Sequence, residues 1–414
     1  MIKYSGYEYM CIDIANQYGL DKELFETRIQ WTQDHLSELE SLSDKAECQP
    51  LYKKAVMALR KAQAGLPTGH LIGFDGVCSG VQIMSALTGC IAGATSTGLV
   101  DPNVRADAYG KLTEVMQGIL GGKVDISRDD AKQAFMTSFY GSKAVPKKLF
   151  GEDTPEIDAF YAASNKIAPG AWELLQDLLA SWKPYALSHE WKLPDGFDAK
   201  VKVMTKQEAR VEVDELDHAT FTYEFYQNEG QKSGLSNVAN VVHSVDAYVL
   251  RCIHRRCNYN YEVASVASLL LESEMLRRLL GGQQEADYID MSGKLDYYIA
   301  QYDRSGMADV VILPYLDTLN ITALSYIHLQ KLAEVVTGML EYKPFEVVTI
   351  HDEFKCHANN MNHLRQQYIN ILADLAESNV LDDLLSQLYG KPGNFKKLST
   401  NLGALIRNSN YALS

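Results

Sequence analysis

Long apolar runs are missing from this 414-residue chain: none approaches the roughly 18–20 residues that a membrane span needs. The opening Met1-Ile2-Lys3-Tyr4-Ser5, leading into Cys11-Ile12-Asp13, lacks the charged-then-apolar layout of a secretory signal. Cysteine is sparse, and seven of them at irregular spacings point to reduced thiols in a cytosol rather than a disulfide framework. Cations are in deficit. Lys and Arg number 39 against 53 Asp and Glu, a net charge of −14 that argues against a bulk duplex-binding surface. Internal repeats and low-complexity tracts are also absent. These absences lead to the expectation of a soluble, cytoplasmic protein with no membrane partner.

What is present is ordinary globular material, 46% hydrophobic and 22% charged, enough for two or three cooperating subdomains around a real core. Two local cationic groups stand out, Lys143 with Lys147 and Lys148, and Arg251 with Arg255 and Arg256. Each alone reads first as a solvated face.

Apolar positions at helical spacing predict helices over about 21–64, 105–120, 157–182, 244–280 and 321–342, and again from Asn362. Leu71-Ile72-Gly73-Phe74-Asp75 reads as a short buried strand, with Ser79 as the N-cap of a helix through Leu87. Alternation predicts strands at 200–204, 210–214 and 220–226. Phe345 to Asp352 reads as a strand that turns back through Glu353-Phe354-Lys355-Cys356. Between these lies Arg128-Asp129-Asp130-Ala131-Lys132, followed by an apolar ridge and Tyr140-Gly141. Ser127 is its expected N-cap, and two acidic residues in the first turn suit the helix dipole. At ~100° per residue Lys132 lies about 40° around the helix from Arg128, so both cations face one way. Gly118-Ile119-Leu120-Gly121-Gly122-Lys123 fails the spacing of a phosphate-binding loop, and Val124 replaces its Ser or Thr.

Asp75 and Asp352 each follow an apolar strand and precede a turn. Such rigidly held carboxylates suit hard divalent cations, and two together can hold a pair of Mg²⁺ ions about 3.5–4 Å apart. Taken singly, an Asp in this setting is more often a cap or turn residue.

The surrounding residues sharpen this. Phe74-Asp75-Gly76-Val77-Cys78-Ser79-Gly80-Val81-Gln82 resembles motif A of phage-type and mitochondrial single-subunit RNA polymerases, and Arg128-x3-Lys132-x7-Tyr140-Gly141 resembles motif B. Ile350-His351-Asp352-Glu353-Phe354 resembles motif C. Asp107-Ala108-Tyr109-Gly110 and Val242-His243-Ser244-Val245-Asp246 match two further stretches of the family, in family order. The resemblance implies an α+β, mostly helical fold: a right-hand polymerase palm on a small antiparallel sheet, plus helical fingers. It implies a helical segment 1–69, palm 70–125, fingers 126–196, a strand-rich specificity-hairpin-like region 197–250, a helical insertion 251–344 and a second palm part 345–414.

By the same resemblance Asp75, Asp352 and the Gly76 carbonyl would hold two Mg²⁺ ions, and Arg128 and Lys132 would meet the triphosphate. Lys132 would also protonate the leaving pyrophosphate. Tyr109, Tyr140 and His243 would contact the substrate, the last two at the ribose. The implied activity is DNA-directed RNA synthesis from rNTPs on a DNA template in an infected bacterial cell, giving an RNA product. The residues after Asp75 are small where related DNA polymerases carry a bulky Glu, which favours ribonucleotides. Glu353 departs from this, since His-Asp-Glu is the DNA-polymerase form of motif C. Only 74 residues precede Asp75, and no Gly-Arg dipeptide of the template-contacting kind occurs. The chain is therefore similar to the larger subunit of the two-subunit RNA polymerases of coliphage N-four and its relatives. A second polypeptide would supply the N-terminal portion, and the acidic surface would call for single-stranded template or a single-stranded-DNA-binding recruiting factor. The competing readings are a DNA polymerase of the same architecture and a catalytically silent acidic scaffold.

Overall fold

The computed structural model describes residues 1–122 and 124–414, so Lys123, the end of the rejected phosphate-loop candidate, lies outside the described residues. The chain opens with α1 (Gly6–Ala15) behind a reciprocal cap: the Ser5 N–H donates to Glu8 Oε2 at 2.6 Å, and the Glu8 N–H to Ser5 Oγ at 3.2 Å. That Ser-x-x-Glu signal is legible in the sequence, yet the periodicity reading starts its helices only near residue 21. The expected helical stretch then divides into α2 (Phe25–Asp34) and α3 (Gln49–Gln63), separated by a tight 3₁₀ turn at Leu39–Lys45.

The strand β1 (Leu71–Asp75) forms as expected. Its Phe74 ring lies 6.0 Å from Tyr9 and 5.5 Å from Phe25, so α1 and α2 cover one sheet face. All ten residues of α4 (Ser79–Thr88) are buried, and the helix is enclosed by the elements packed around it. Ser79 is not its cap. It is the first helical residue, and Cys78 occupies the N-cap position in left-handed geometry, φ 55°, with no side-chain cap bond. The chain leaves the strand and enters the helix within four residues, a reversal that takes a positive φ.

After α5 (Ile91–Ser96) comes α6 (Ala108–Ile119), which starts later than expected because Asp107 caps it, accepting from the Tyr109 N–H at 3.2 Å. Ser127 caps α7 (Arg128–Ser138) as expected, and α8 (Ala144–Phe150) follows. The single helix expected over 157–182 is two, α9 (Pro155–Ile167) and α10 (Pro169–Ala180). Pro169 drives Ala168 out of helical geometry, to φ −143° and ψ 62°.

Beyond α10, β2 (Ser188–Lys192) pairs with β3 (Asp198–Lys202), and β4 (Met204–Val213) with β5 (Ala219–Asn228), as two separate antiparallel ribbons. β2 also alternates, burying His189 and Trp191, but the sequence reading set the change of character only after Lys192. The helices α11 (Ser236–Cys257), α12 (Tyr261–Leu279), α13 (Leu295–Ser305) and α14 (Tyr326–Leu340) come next. A hairpin of β6 (Val348–Ile350) and β7 (Glu353–His357) leads to α15 (Met361–Glu377), α16 (Val380–Tyr389) and α17 (Leu402–Arg407). The expected strand over 345–352 is thus reduced to three residues.

The structure is mostly helical with small antiparallel sheets, of which the three-stranded one has the order β1-β7-β6. Gly73 is required there: a Cβ would collide with the Glu353 carboxylate across the β1–β7 pair. The last residues close over this sheet, with Gly76 bridged to Leu413 and the Ser414 N–H donating to the Asp75 carbonyl at 3.1 Å. The buried amide of Gln82 fastens them, donating to the Ala412 carbonyl at 3.0 Å while accepting from the Tyr368 hydroxyl at 2.7 Å. One apolar core spans both ends of the chain, and a second, drawn from residues between Tyr259 and Met339, lies under α12 and α14. Among the described residues no helix is long and apolar enough to cross a membrane.

Candidate active site

A cavity of about 580 Å³ opens where β1, α4, α6, α7, α11 and the β6–β7 turn meet. Asp75, Gly76, Tyr109, Arg128, Lys132, Tyr140, His243 and Asp352 all line it. The side chains expected to carry chemistry, from segments up to 277 residues apart (75 to 352), therefore share one space.

The sheet explains the first pairing. Antiparallel β1 and β7 set Asp75 opposite Glu353, and the Gly76 N–H donates to the Asp352 carbonyl at 3.0 Å. His351 enters this turn at φ 56°. A non-glycine residue in left-handed geometry beside a cavity stores strain that the flanking strands must hold. Burial, then the charges of Glu353 and Asp352, pushes the Asp75 carboxyl up to about 6. Burial, then Asp352, pushes Asp246 up to about 6 as well. Asp75 and Asp246 thus sit in a partly dehydrated, acidic space, where burial first and neighbouring carboxylate charge second oppose their ionisation.

That donor set fits a hard divalent cation. Carboxylate and carbonyl oxygens are the ligands Mg²⁺ accepts, and it usually takes only one or two carboxylates, completing its shell with water and substrate phosphates. Among the described residues the one three-residue group with ligand atoms all within 4.8 Å of one another is elsewhere: Glu212, Asp214 and His218, all exposed, near the β4–β5 turn. Its His218 lies 2.8 Å from Glu212 and 3.3 Å from Asp214, which is an exposed ion-pair arrangement.

Across the cavity α7 presents its cations. Arg128 is not paired with its neighbour Asp129. Its guanidinium forks onto Asp107, Nε to Oδ2 at 2.9 Å and Nη2 to Oδ1 at 2.8 Å. Burial would raise the Asp107 carboxyl, but this fork holds it below its usual range. Both α7 cations also lie over the Tyr109 ring, Arg128 at 5.6 Å and Lys132 at 5.7 Å from its centroid. The i, i+4 spacing has put them on one face, and Tyr109 is the platform beneath. At the far end of α7 the Tyr140 ring sits 4.6 Å from the His243 ring. Burial, then His351, lowers the His243 pKa and favours the neutral imidazole.

The glycines need one correction. Gly76 does not leave room toward the cavity: a Cβ there would point at the Tyr368 hydroxyl, 3.0 Å away, and at Ser79 Cβ, 3.2 Å away. The glycine under Tyr140 is Gly80, whose added Cβ would lie 2.6 Å from the Tyr140 oxygen.

Lining residues to which sequence reasoning gave no role include Asp246, Arg105 and Cys78. Asp246 stands one helical turn beyond His243, so i, i+3 spacing on α11 was enough to find it. Arg105 belongs to no quoted motif; its Nε is buried without a partner, and Nη1 donates to the adjacent Ala106 carbonyl at 2.6 Å. The Arg251, Arg255 and Arg256 group is neither a solvated face nor a nucleic-acid patch. Arg251 and Arg255 pair with Asp195, Arg255 also with Asp309, and Arg256 with Asp374.

Residues 2–150 match the family model described as DNA-dependent RNA polymerase. The chain is 25% identical over 181 residues to the mitochondrial DNA-directed RNA polymerase of Schizosaccharomyces pombe, covering 37% of this chain and 16% of that protein. It is 26% identical over 172 residues to the DNA-directed RNA polymerase of Pseudomonas phage phiKMV, covering 33% and 21%. Against DNA-directed RNA polymerase 1, mitochondrial, of Arabidopsis thaliana the figures are 27% over 172 residues, 33% and 18%. The chain thus spans 16–21% of the length of these relatives. The resemblance to mitochondrial and phage RNA polymerases is a property of the sequence itself. The family match takes in Asp75, Gly76, Tyr109, Arg128, Lys132 and Tyr140 and stops short of His243 and Asp352.

Proposed function

We propose that this chain carries the palm and fingers of a viral DNA-directed RNA polymerase and is its catalytic subunit. One observation carries the reading: residues matching motifs A, B and C, and the histidine stretch between B and C, line a single cavity. Asp75, Asp352 and the Gly76 carbonyl would hold two Mg²⁺ ions. When bound, these supply charge neutralisation at the α-phosphate and a more acidic RNA 3′-hydroxyl. Lys132, exposed above Tyr109, binds the phosphates of an rNTP and gives a proton to the departing pyrophosphate. Arg128 presents the outer edge of a guanidinium already fixed by Asp107, so its orientation is set before substrate arrives. Tyr140 and His243 receive the ribose, with Gly80 leaving the phenol its place.

The substrates on this reading are rNTPs and a DNA template, with RNA as product. The same reading includes a second polypeptide that completes the enzyme, in a heterodimer, and a single-stranded-DNA-binding factor that recruits it, the latter supported by the net charge of −14. A host-cell cytoplasm fits the likeness to a phage enzyme. The DNA-polymerase reading has Glu353 in its favour, and it predicts dNTP incorporation in place of rNTP. The test is primer-template extension by the chain with its co-purified partner, wild type against Asp352→Asn. RNA product lost only in the variant supports the reading. Equal product from both, or product from dNTPs alone, overturns it.

A further inference from the structure

Helix α12 has two apolar faces and only one is covered. Its inner face, Ala264, Ala267 and Leu271, is buried against the second core. Its outer face carries Val266, Leu269 and Leu276, exposed by 55%, 67% and 57%, and the C-cap residue Leu280, exposed by 80%, continues the line. With Ser273 these positions follow a 3-4-3-4 spacing, the seam of a helix that packs along another helix. The ridge runs about 21 Å at 1.5 Å per residue. A helix apolar on both sides belongs inside an assembly, and singly scattered surface leucines do not line up this way.

The charges beside the ridge choose the occupant. Its two cations are already spent: Arg277 is bonded to Glu274 and Glu285, and Arg278 to Glu274. Glu262 and Glu272 remain exposed, and among the described residues neither has a salt-bridge partner. A second copy of this chain laid antiparallel about Ser273 would bring Glu272 against Glu272, and a parallel copy would align like charges throughout. Both arrangements are disfavoured. We propose that the outer face of α12 is a docking seam for an amphipathic helix of a different polypeptide, apolar at its a and d positions and flanked by Lys or Arg. This does not depend on what the cavity does.

The test uses the full chain and two fluorescent synthetic 21-residue helical peptides with leucine at a and d, one flanked by lysine and one by glutamate. The expected result is saturable anisotropy with the lysine peptide only, weakened at least tenfold by the double variant Leu269→Glu, Leu276→Glu and by raised salt. Because both leucines are exposed, the variant keeps the wild-type melting temperature, which separates lost docking from lost folding. Equal binding to both peptides, binding unchanged in the variant, or no binding to either overturns the proposal. So does sedimentation as a dimer that the double variant dissociates, which would assign the seam to a second copy, or capture by anionic vesicles in place of peptide.

Discussion

Replacing Asp246 by Asn should stabilise the fold at neutral pH. The carboxyl is partly buried, and its pKa is raised from 3.8 to about 6 by burial and then by Asp352. A tenfold change in proton affinity is about 1.4 kcal/mol, so that interval corresponds to about 3 kcal/mol as a ceiling, and to about 1–2 kcal/mol once residual solvent screening is allowed for. The sign follows from the order of ionisation. Well below pH 3.8 both folded and unfolded chains hold the proton, and the penalty vanishes. Between 3.8 and about 6 the unfolded chain ionises first, so the native state is the better proton binder and stability falls as pH rises. Above this window the penalty is constant. Asparagine keeps the shape and removes the charge, so the variant's advantage should be small at pH 3.5, grow through the window and level off above pH 6.5. Urea unfolding followed by circular dichroism at half-unit pH steps measures it. A difference that is flat with pH, or a variant less stable at pH 7, would refute the argument that burial and carboxylate crowding govern this cavity.

Mg²⁺ should act on the same crowding. At a dissociation constant of about 1 mM, 10 mM Mg²⁺ adds about 1.4 kcal/mol of stability, and Asp352→Asn should abolish the rise in melting temperature. Gly80→Ala should displace the Tyr140 phenol by nearly 1 Å, since an added Cβ would lie 2.6 Å from its oxygen. Rotor-specific NMR of Tyr140 reports the shift, and rNTP incorporation should fall by about 10²-fold, the usual cost of an ångström at a reacting centre. Asp107→Ala should cost about 1–2 kcal/mol by removing both the cap of α6 and the partner of Arg128, with Asp107→Asn recovering the cap's share in thermal melts. Arg105→Ala should raise the KM for rNTP more than it lowers kcat if its guanidinium meets phosphate, and a pure kcat loss would count against that.

Elements whose signals are local were the legible ones. The β1 strand and the Ser127-capped helix carry their own periodicity and caps, and the order Asp75, Arg128, Lys132, Tyr140, His243, Asp352 carried the resemblance to a polymerase family. Breaks set by backbone detail were less legible. Pro169 was visible, yet its splitting of a 26-residue helical reading was not drawn, and Cys78 took a left-handed cap position that sequence assigned to Ser79. Contacts across the chain were not legible at all. No spacing tells that Arg128 forks onto Asp107, that Gly76 turns toward Tyr368 while Gly80 supports Tyr140, or that Arg251, Arg255 and Arg256 spend their charges on Asp195, Asp309 and Asp374. By itself the sequence determined which residue types recur in which order, because helix and strand periods and motif spacings are short-range properties of the chain. Only the tertiary structure decided which carboxylates crowd one another, which cations are spent and which leucines stay bare, because burial and pairing depend on neighbours hundreds of residues away.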